Sequence, residues 1–115
     1  MNIRPVTSAD SKNAGRIIYK AFSGIAEKHN FPYDFPTIES AIGFAEMAIG
    51  NPDISGFVAE EDGKFLGSNF LWKHDAIAGV GPITVDSATQ SKGVGRKLMQ
   101  AVIEDGKNAA GIRLV

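Results

Sequence analysis

The segment Ile83-Thr84-Val85-Asp86-Ser87-Ala88-Thr89-Gln90-Ser91-Lys92-Gly93-Val94-Gly95-Arg96-Lys97-Leu98 passes from a strand, through a polar loop, into a helix. Ile83, Thr84 and Val85 are β-branched, as a strand end prefers. Residues 86–92 are polar and unpatterned. Gly93-Val94-Gly95 then opens a helix whose apolar positions are Val94, Leu98, Val102 and Ile103. The first turn of a helix presents backbone N–H groups without internal acceptors, and the helix dipole favours anions there. Gly93 and Gly95 remove side chains that would hold a phosphate away from the backbone, and Lys92, Arg96 and Lys97 add positive charge. One reading is a phosphate or pyrophosphate cradle. The other is a tight turn with solvated basic side chains, and spacing alone leaves both open. Two familiar phosphate loops are excluded. No Gly-x-x-x-x-Gly-Lys-Ser/Thr string occurs, and the third glycine of the dinucleotide fingerprint is replaced by Leu98.

Upstream of this segment, residues 77–85 read as one strand. Gly79, Gly81 and Pro82 within it mark either a bulge with close backbone approach or an irregular edge. Before it lies a hairpin, with strands at 57–60 and 64–72 joined by Asp62-Gly63, a strong hairpin-turn dipeptide. The N-terminal part offers a short strand at residues 3–6, with Pro5 acceptable on an edge. A helix over 9–28 follows, with Ala14, Ile17, Ile18, Ala21, Phe22 and Ile25 on one face. A second helix spans 37–49 and is stopped by Gly50, Asn51 and Pro52. Downstream, Gly111 closes the last helix and Ile112 opens a strand. The order is β-α-α-β-β-β-α-β. The strand–loop–helix–strand crossover makes the last two strands parallel neighbours. The class is α/β with a mixed sheet, not a doubly wound one.

The 115 residues suffice for a single domain spanning 1–115 with one core. Hydrophobic residues make up 43% and charged residues 22%, which sets disorder and coiled coils aside. Twelve basic and thirteen acidic residues leave a net charge of −1, so no nucleic-acid partner is expected. The absence of cysteine excludes disulfides and thiolate chemistry and fits a reducing, cytoplasmic setting. No apolar run reaches membrane-span length, so no membrane partner is expected. The histidines, His29 and His74, are far apart in the chain and give no metal-binding pattern.

Gln90-Ser91-Lys92-Gly93-Val94-Gly95 matches the pattern Gln/Arg-x-x-Gly-x-Gly/Ala at every fixed position, so residues 80–98 resemble motif A of the GNAT N-acetyltransferase superfamily. The element order resembles that fold along the whole chain. The resemblance implies acetyl-CoA as co-substrate and an amine as acceptor. It implies that amides of Ser91, Lys92, Gly93, Val94, Gly95 and Arg96, following Gln90, hold the pyrophosphate. It also implies that Ile83, Thr84 and Val85 pair with the pantetheine arm, and that this strand splays from the next to admit the cofactor. A backbone N–H near Ile83 would face the developing oxyanion.

The sequence departs from the family pattern in two places. Some members carry a glutamate base where this chain has Gly79. Many use a tyrosine as acid beyond the next strand, whereas the tyrosines here are Tyr19 and Tyr33. No catalytic residue is assigned. His74 and Asp75 read as turn polarity rather than a base, His29 as a favourable helix-end cation, and Glu60 as hairpin decoration or a weak base candidate. Phe31, Tyr33 and Phe35 line either an acceptor pocket or the underside of a loop, while Phe70 and Trp72 read as core. The apolar ending, Ile112-Arg113-Leu114-Val115, reads as a strand just begun, so the domain is expected to lack its closing strands and last helix. An exposed final strand predicts a homodimer or strand exchange. A non-catalytic CoA-binding or interaction module is the alternative to an enzyme.

Overall fold

A computed structural model describes residues 1–29, 35–73, 77–87, 93–107 and 111–114; within these, 25–29, 77 and 111–114 are described by backbone alone. Strand β1 (Asn2–Pro5) leads through a short 3₁₀ turn into helix α1 (Ser11–His29), followed by α2 (Ile38–Gly50). Strands β2 (Ile54–Glu61), β3 (Lys64–Trp72), β4 (Ile77–Val80) and β5 (Thr84–Val85) come next, then helix α3 (Val94–Asp105) and strand β6 (Gly111–Leu114). The sheet order is β1-β2-β3-β4-β6, with β5 attached to β3. Every neighbouring pair is antiparallel except β4 and β6, which run parallel as the crossover requires.

The local chemistry explains the elements. Pro5 lies on β1, an edge strand that needs no N–H on its outer side. The Asp10 carboxylate accepts the Thr7 N–H at 2.8 Å and so seats the turn ahead of α1. Thr37 caps α2 by accepting from the Ser40 N–H at 3.1 Å. Asp62 and Gly63 both hold positive φ, 52° and 78°, as a two-residue hairpin turn demands. The last helix ends at Gly106, whose N–H reaches the Val102 carbonyl at 2.9 Å. Gly111, expected to close that helix, instead opens β6.

Two layers of helix cover the sheet. Ile18 of α1 and Ala41 and Ala48 of α2 pack with Ile54 and Phe70 on one face. Val94, Leu98 and Val102 of α3 are fully buried on the other face, against Ala59, Leu66, Leu71 and Val80. Ile103, expected among the core positions of α3, is 49% exposed because it falls on the outer side of the helix. The β2–β3 register shifts beside Ala59, where Ala59 faces Gly67 and Glu60 faces Phe65. Leu66 is the extra residue, and this bulge changes which side chains of β3 face which layer.

Candidate functional site

The sequence reads residues 77–85 as one strand. The structure breaks it in two. Up to Val80 the chain pairs with β3 on one side and with β6 on the other, Val80 facing Leu71 and Leu114. Gly81, at φ 131°, and the cis-linked Pro82 interrupt the ladder. Thr84 and Val85 then pair with Ser68 and Gly67 of β3 only. Among the described residues the other edge of β5 has no ladder partner. The break is pinned from one side. The Gly81 N–H donates to the Phe70 carbonyl at 2.9 Å, the Trp72 indole N–H donates to the Gly81 carbonyl, and the Asp86 N–H donates to the Leu66 carbonyl at 2.8 Å.

Gly67 makes the close approach of β5 to β3 feasible. A Cβ there would stand 2.5 Å from the Thr84 carbonyl oxygen and 3.1 Å from the Val85 Cα. Gly95 behaves differently. A Cβ there would meet Val85 Cγ2 only at 3.8 Å, an ordinary contact, so packing inside the protein does not demand glycine at this position. Gly93 caps α3 in the left-handed region, φ 73° and ψ 19°, where a side chain is strained. The Lys97 N–H is the helix amide that reaches back to the Gly93 carbonyl, at 3.2 Å. Helix geometry leaves the amides of Val94, Gly95 and Arg96 without intrahelical acceptors. Buried Val94 fixes that end of α3, while Arg96 and Lys97 stay on the open side of the helix.

The structure thus brings Ile83, Thr84 and Val85 beside Gly93, Val94, Gly95 and Arg96 at a helix N-terminus. Ile83 and Val85 pack on the cluster that holds Val94 and Leu98, which links the two pieces. Gln90, Ser91 and Lys92 lie outside the described residues, as do His74, Asp75, Phe31 and Tyr33. Phe35 belongs to the core: its ring meets Phe22 at 5.7 Å and Phe44 at 5.5 Å, and Phe44 meets Trp72 at 6.1 Å. Glu60 is engaged by Arg4, Nε to Oε1 at 3.1 Å, which argues against a base role. Gly79 sits within the β4 ladder opposite Trp72 and Arg113.

Sequence reading missed two polar groups next to the site, Ser68 and Asn69. Ser68 and Asn69 on β3 and Thr84 on β5 are buried, and among the described residues Ser68 Oγ, Asn69 Nδ2 and Thr84 Oγ1 have no hydrogen-bond partner. The one sequence signal of the first two was the polar pair Ser68-Asn69 inside an otherwise apolar strand. Also missed was the Arg4 guanidinium, which donates to both oxygens of Asp10 at 2.8 and 2.9 Å. This contact holds the Asp10 carboxyl below the usual carboxylate range, although burial opposes the shift. Among the described residues no group of three or more potential metal ligands occurs, and no helix is long and apolar enough to cross a membrane.

A model of the acetyltransferase (GNAT) family matches residues 18–115. The chain belongs to the GNAT acetyltransferase family. No curated protein sequence matches it significantly. Among solved structures, it is similar to a point mutant of the BH1408 protein from Bacillus halodurans, with TM-score 0.85 and 16% identity over 100% of this chain and 82% of that one. It is similar to an aminoglycoside 6'-N-acetyltransferase complexed with coenzyme A, with TM-score 0.77 and 13% identity over 99% of this chain and 61% of that one. It also resembles a predicted acetyltransferase with acetyl-CoA from Clostridium acetobutylicum, with TM-score 0.71 and 11% identity over 99% and 79% of the two chains. At such identities these likenesses concern the fold.

Proposed function

We propose that the protein is an N-acetyltransferase that uses acetyl-CoA and an amine acceptor. Acetyl-CoA supplies an activated thioester, from which the acetyl group passes directly to the unprotonated amine nitrogen as the carbon–sulfur bond breaks and CoA leaves as the thiol. The observation that carries this reading is the break after Val80, where Gly81 and Pro82 interrupt the ladder and Thr84 and Val85 pair again with β3 next to the N-terminus of α3.

Each part of the chain has a task in this reading. Backbone groups on the free edge of Ile83, Thr84 and Val85 hold the pantetheine arm as an added strand. Amides of residues 91–96 and the dipole of α3 hold the pyrophosphate, with Gly95 leaving room that packing does not claim. The Ile83 N–H, beyond the end of the regular ladder, donates to the carbonyl oxygen as negative charge develops there. The amine loses its proton to water or to the acceptor's surroundings, since Gly79 carries no carboxylate.

Calorimetry with acetyl-CoA and CoA, followed by thiol release in the presence of a panel of amines, tests this function. Saturable binding and amine-dependent thiol release are expected. Saturable binding without turnover identifies a CoA-binding module instead, and no binding by the folded protein overturns the reading altogether.

A further inference from the structure

Helix α1 violates two rules of helix electrostatics at once. Lys12, Arg16 and Lys20 recur at i, i+4 and i+8, all exposed, and among the described residues none of them has an ion-pair partner. Like charges at this spacing repel. Lys12 also lies in the first turn, where the helix dipole disfavours a cation and where α1 has no acidic residue. From Ser11 to Ala26 the helix sequence contains no carboxylate at all. Local rules broken together without internal compensation are expected where a surface serves a partner.

The row of charge has a direction. It lies on the helix of the sheet face opposite α3, and it ends in a cavity of about 170 Å³ lined by Ile17, Lys20 and Ala21 of α1 and by Val85, Asp86 and Ser87. The cavity therefore opens where β5 runs into the loop toward α3. Successive cations of the row stand about 6 Å apart along the helix axis. Alternate side chains of an extended peptide stand about 6–7 Å apart, so carboxylates at every second position match the row.

We propose that Lys12, Arg16 and Lys20 form a docking track for an extended acidic peptide whose amine is delivered to the cavity beside Val85. This rests on the acetyltransferase reading above and names its acceptor class. A polynucleotide fits less well: its broad, continuous run of phosphates calls for a basic face, whereas here three cations form a single row on one helix and the neighbouring helix α2 presents exposed Glu39 and Glu46.

Fluorescence anisotropy of the full chain with a labelled seven-residue peptide carrying glutamate at alternate positions tests the track without requiring catalysis. Binding that weakens with salt, and that falls about tenfold in the Lys12→Glu/Arg16→Glu variant, is expected. Acetyl-CoA binding by calorimetry stays unchanged in that variant. Equal binding of the matched lysine peptide, or of the glutamate peptide by both proteins, overturns the proposal. Tighter binding of a single-stranded oligonucleotide than of the glutamate peptide overturns it in favour of nucleic acid. If acetyl-CoA binds and small amines turn over while the acidic peptide neither binds nor reacts, the track fails and the acetyltransferase function stands. If acetyl-CoA does not bind while the peptide does, the track stands and the acetyltransferase function fails.

Discussion

Thr84 and Ser68 face one another directly across the short β3–β5 ladder, both buried and neither hydroxyl with a hydrogen-bond partner among the described residues. Two steps along β3, Phe70 packs with Ile18 of α1, so the pair lies on the face that α1 covers. The strand proposed to carry the pantetheine arm is therefore held by few backbone bonds over an unsatisfied polar pair. Replacing both hydroxyls by apolar groups of similar shape removes their desolvation cost. Thr84→Val combined with Ser68→Ala is expected to leave the unfolding free energy unchanged or raise it by up to about 1 kcal/mol. Urea denaturation measures this, and a clear loss of stability counts against the pair being unsatisfied.

Gly67 carries the opposite expectation. A methyl group there collides with the Thr84 carbonyl at 2.5 Å, and backbone cannot yield as a flexible side chain does. Gly67→Ala is expected to cost about 1–3 kcal/mol by overpacking. Because the collision is with β5, acetyl-CoA affinity should fall as well. Denaturation and calorimetry on the same preparation check both effects.

Gly95 separates a ligand cradle from a mere turn. Its position in the first turn of α3 tolerates a Cβ, and alanine has the higher helix propensity. Gly95→Ala should be neutral or stabilising by up to about 1 kcal/mol. If a phosphate approaches the backbone here, acetyl-CoA affinity nevertheless drops, by about tenfold or more. A variant that gains stability and keeps full affinity would return Gly95 to the role of a simple turn residue.

The Arg4–Asp10 pair predicts an acid dependence of stability. Asp10 is lowered from its ordinary value chiefly by the hydrogen bond from Arg4, with the Thr7 N–H helping. A carboxyl lowered in the folded state contributes stability above its unfolded value of 3.8, and loses it as pH falls through the lower folded value. Asp10→Asn should cost about 1–3 kcal/mol at neutral pH. The difference between wild type and variant should shrink in thermal melts below about pH 4. A difference that stays constant through that range would mean that packing, not charge, is what Asp10 supplies.

Much of the fold was legible because it depends on local chemistry. Asp62-Gly63 can adopt two positive φ angles in succession, so the hairpin follows from the dipeptide. The spacing of Ala14 and Ile18, or of Val94, Leu98 and Val102, needs only the helix period to predict a buried stripe. The glycine-opened helix after a strand end located Gly93, Val94, Gly95 and Arg96 in the same way. Phe35 was ambiguous because an aromatic in a loop has the same sequence signature in a pocket as in a core. Its contacts with Phe22 and Phe44 come from the helices on either side of it.

The sequence by itself determined the elements, their order, and the helix N-terminus where an anion is favoured. Only the tertiary structure decided that the ladder of residues 77–85 breaks at Gly81, because that depends on how each half meets β3. Val80 faces Leu71, and beyond the break Thr84 faces Ser68 beside the space that Gly67 leaves. Strand pairing joins residues distant in the chain, and no local propensity records where the ladder between them will break.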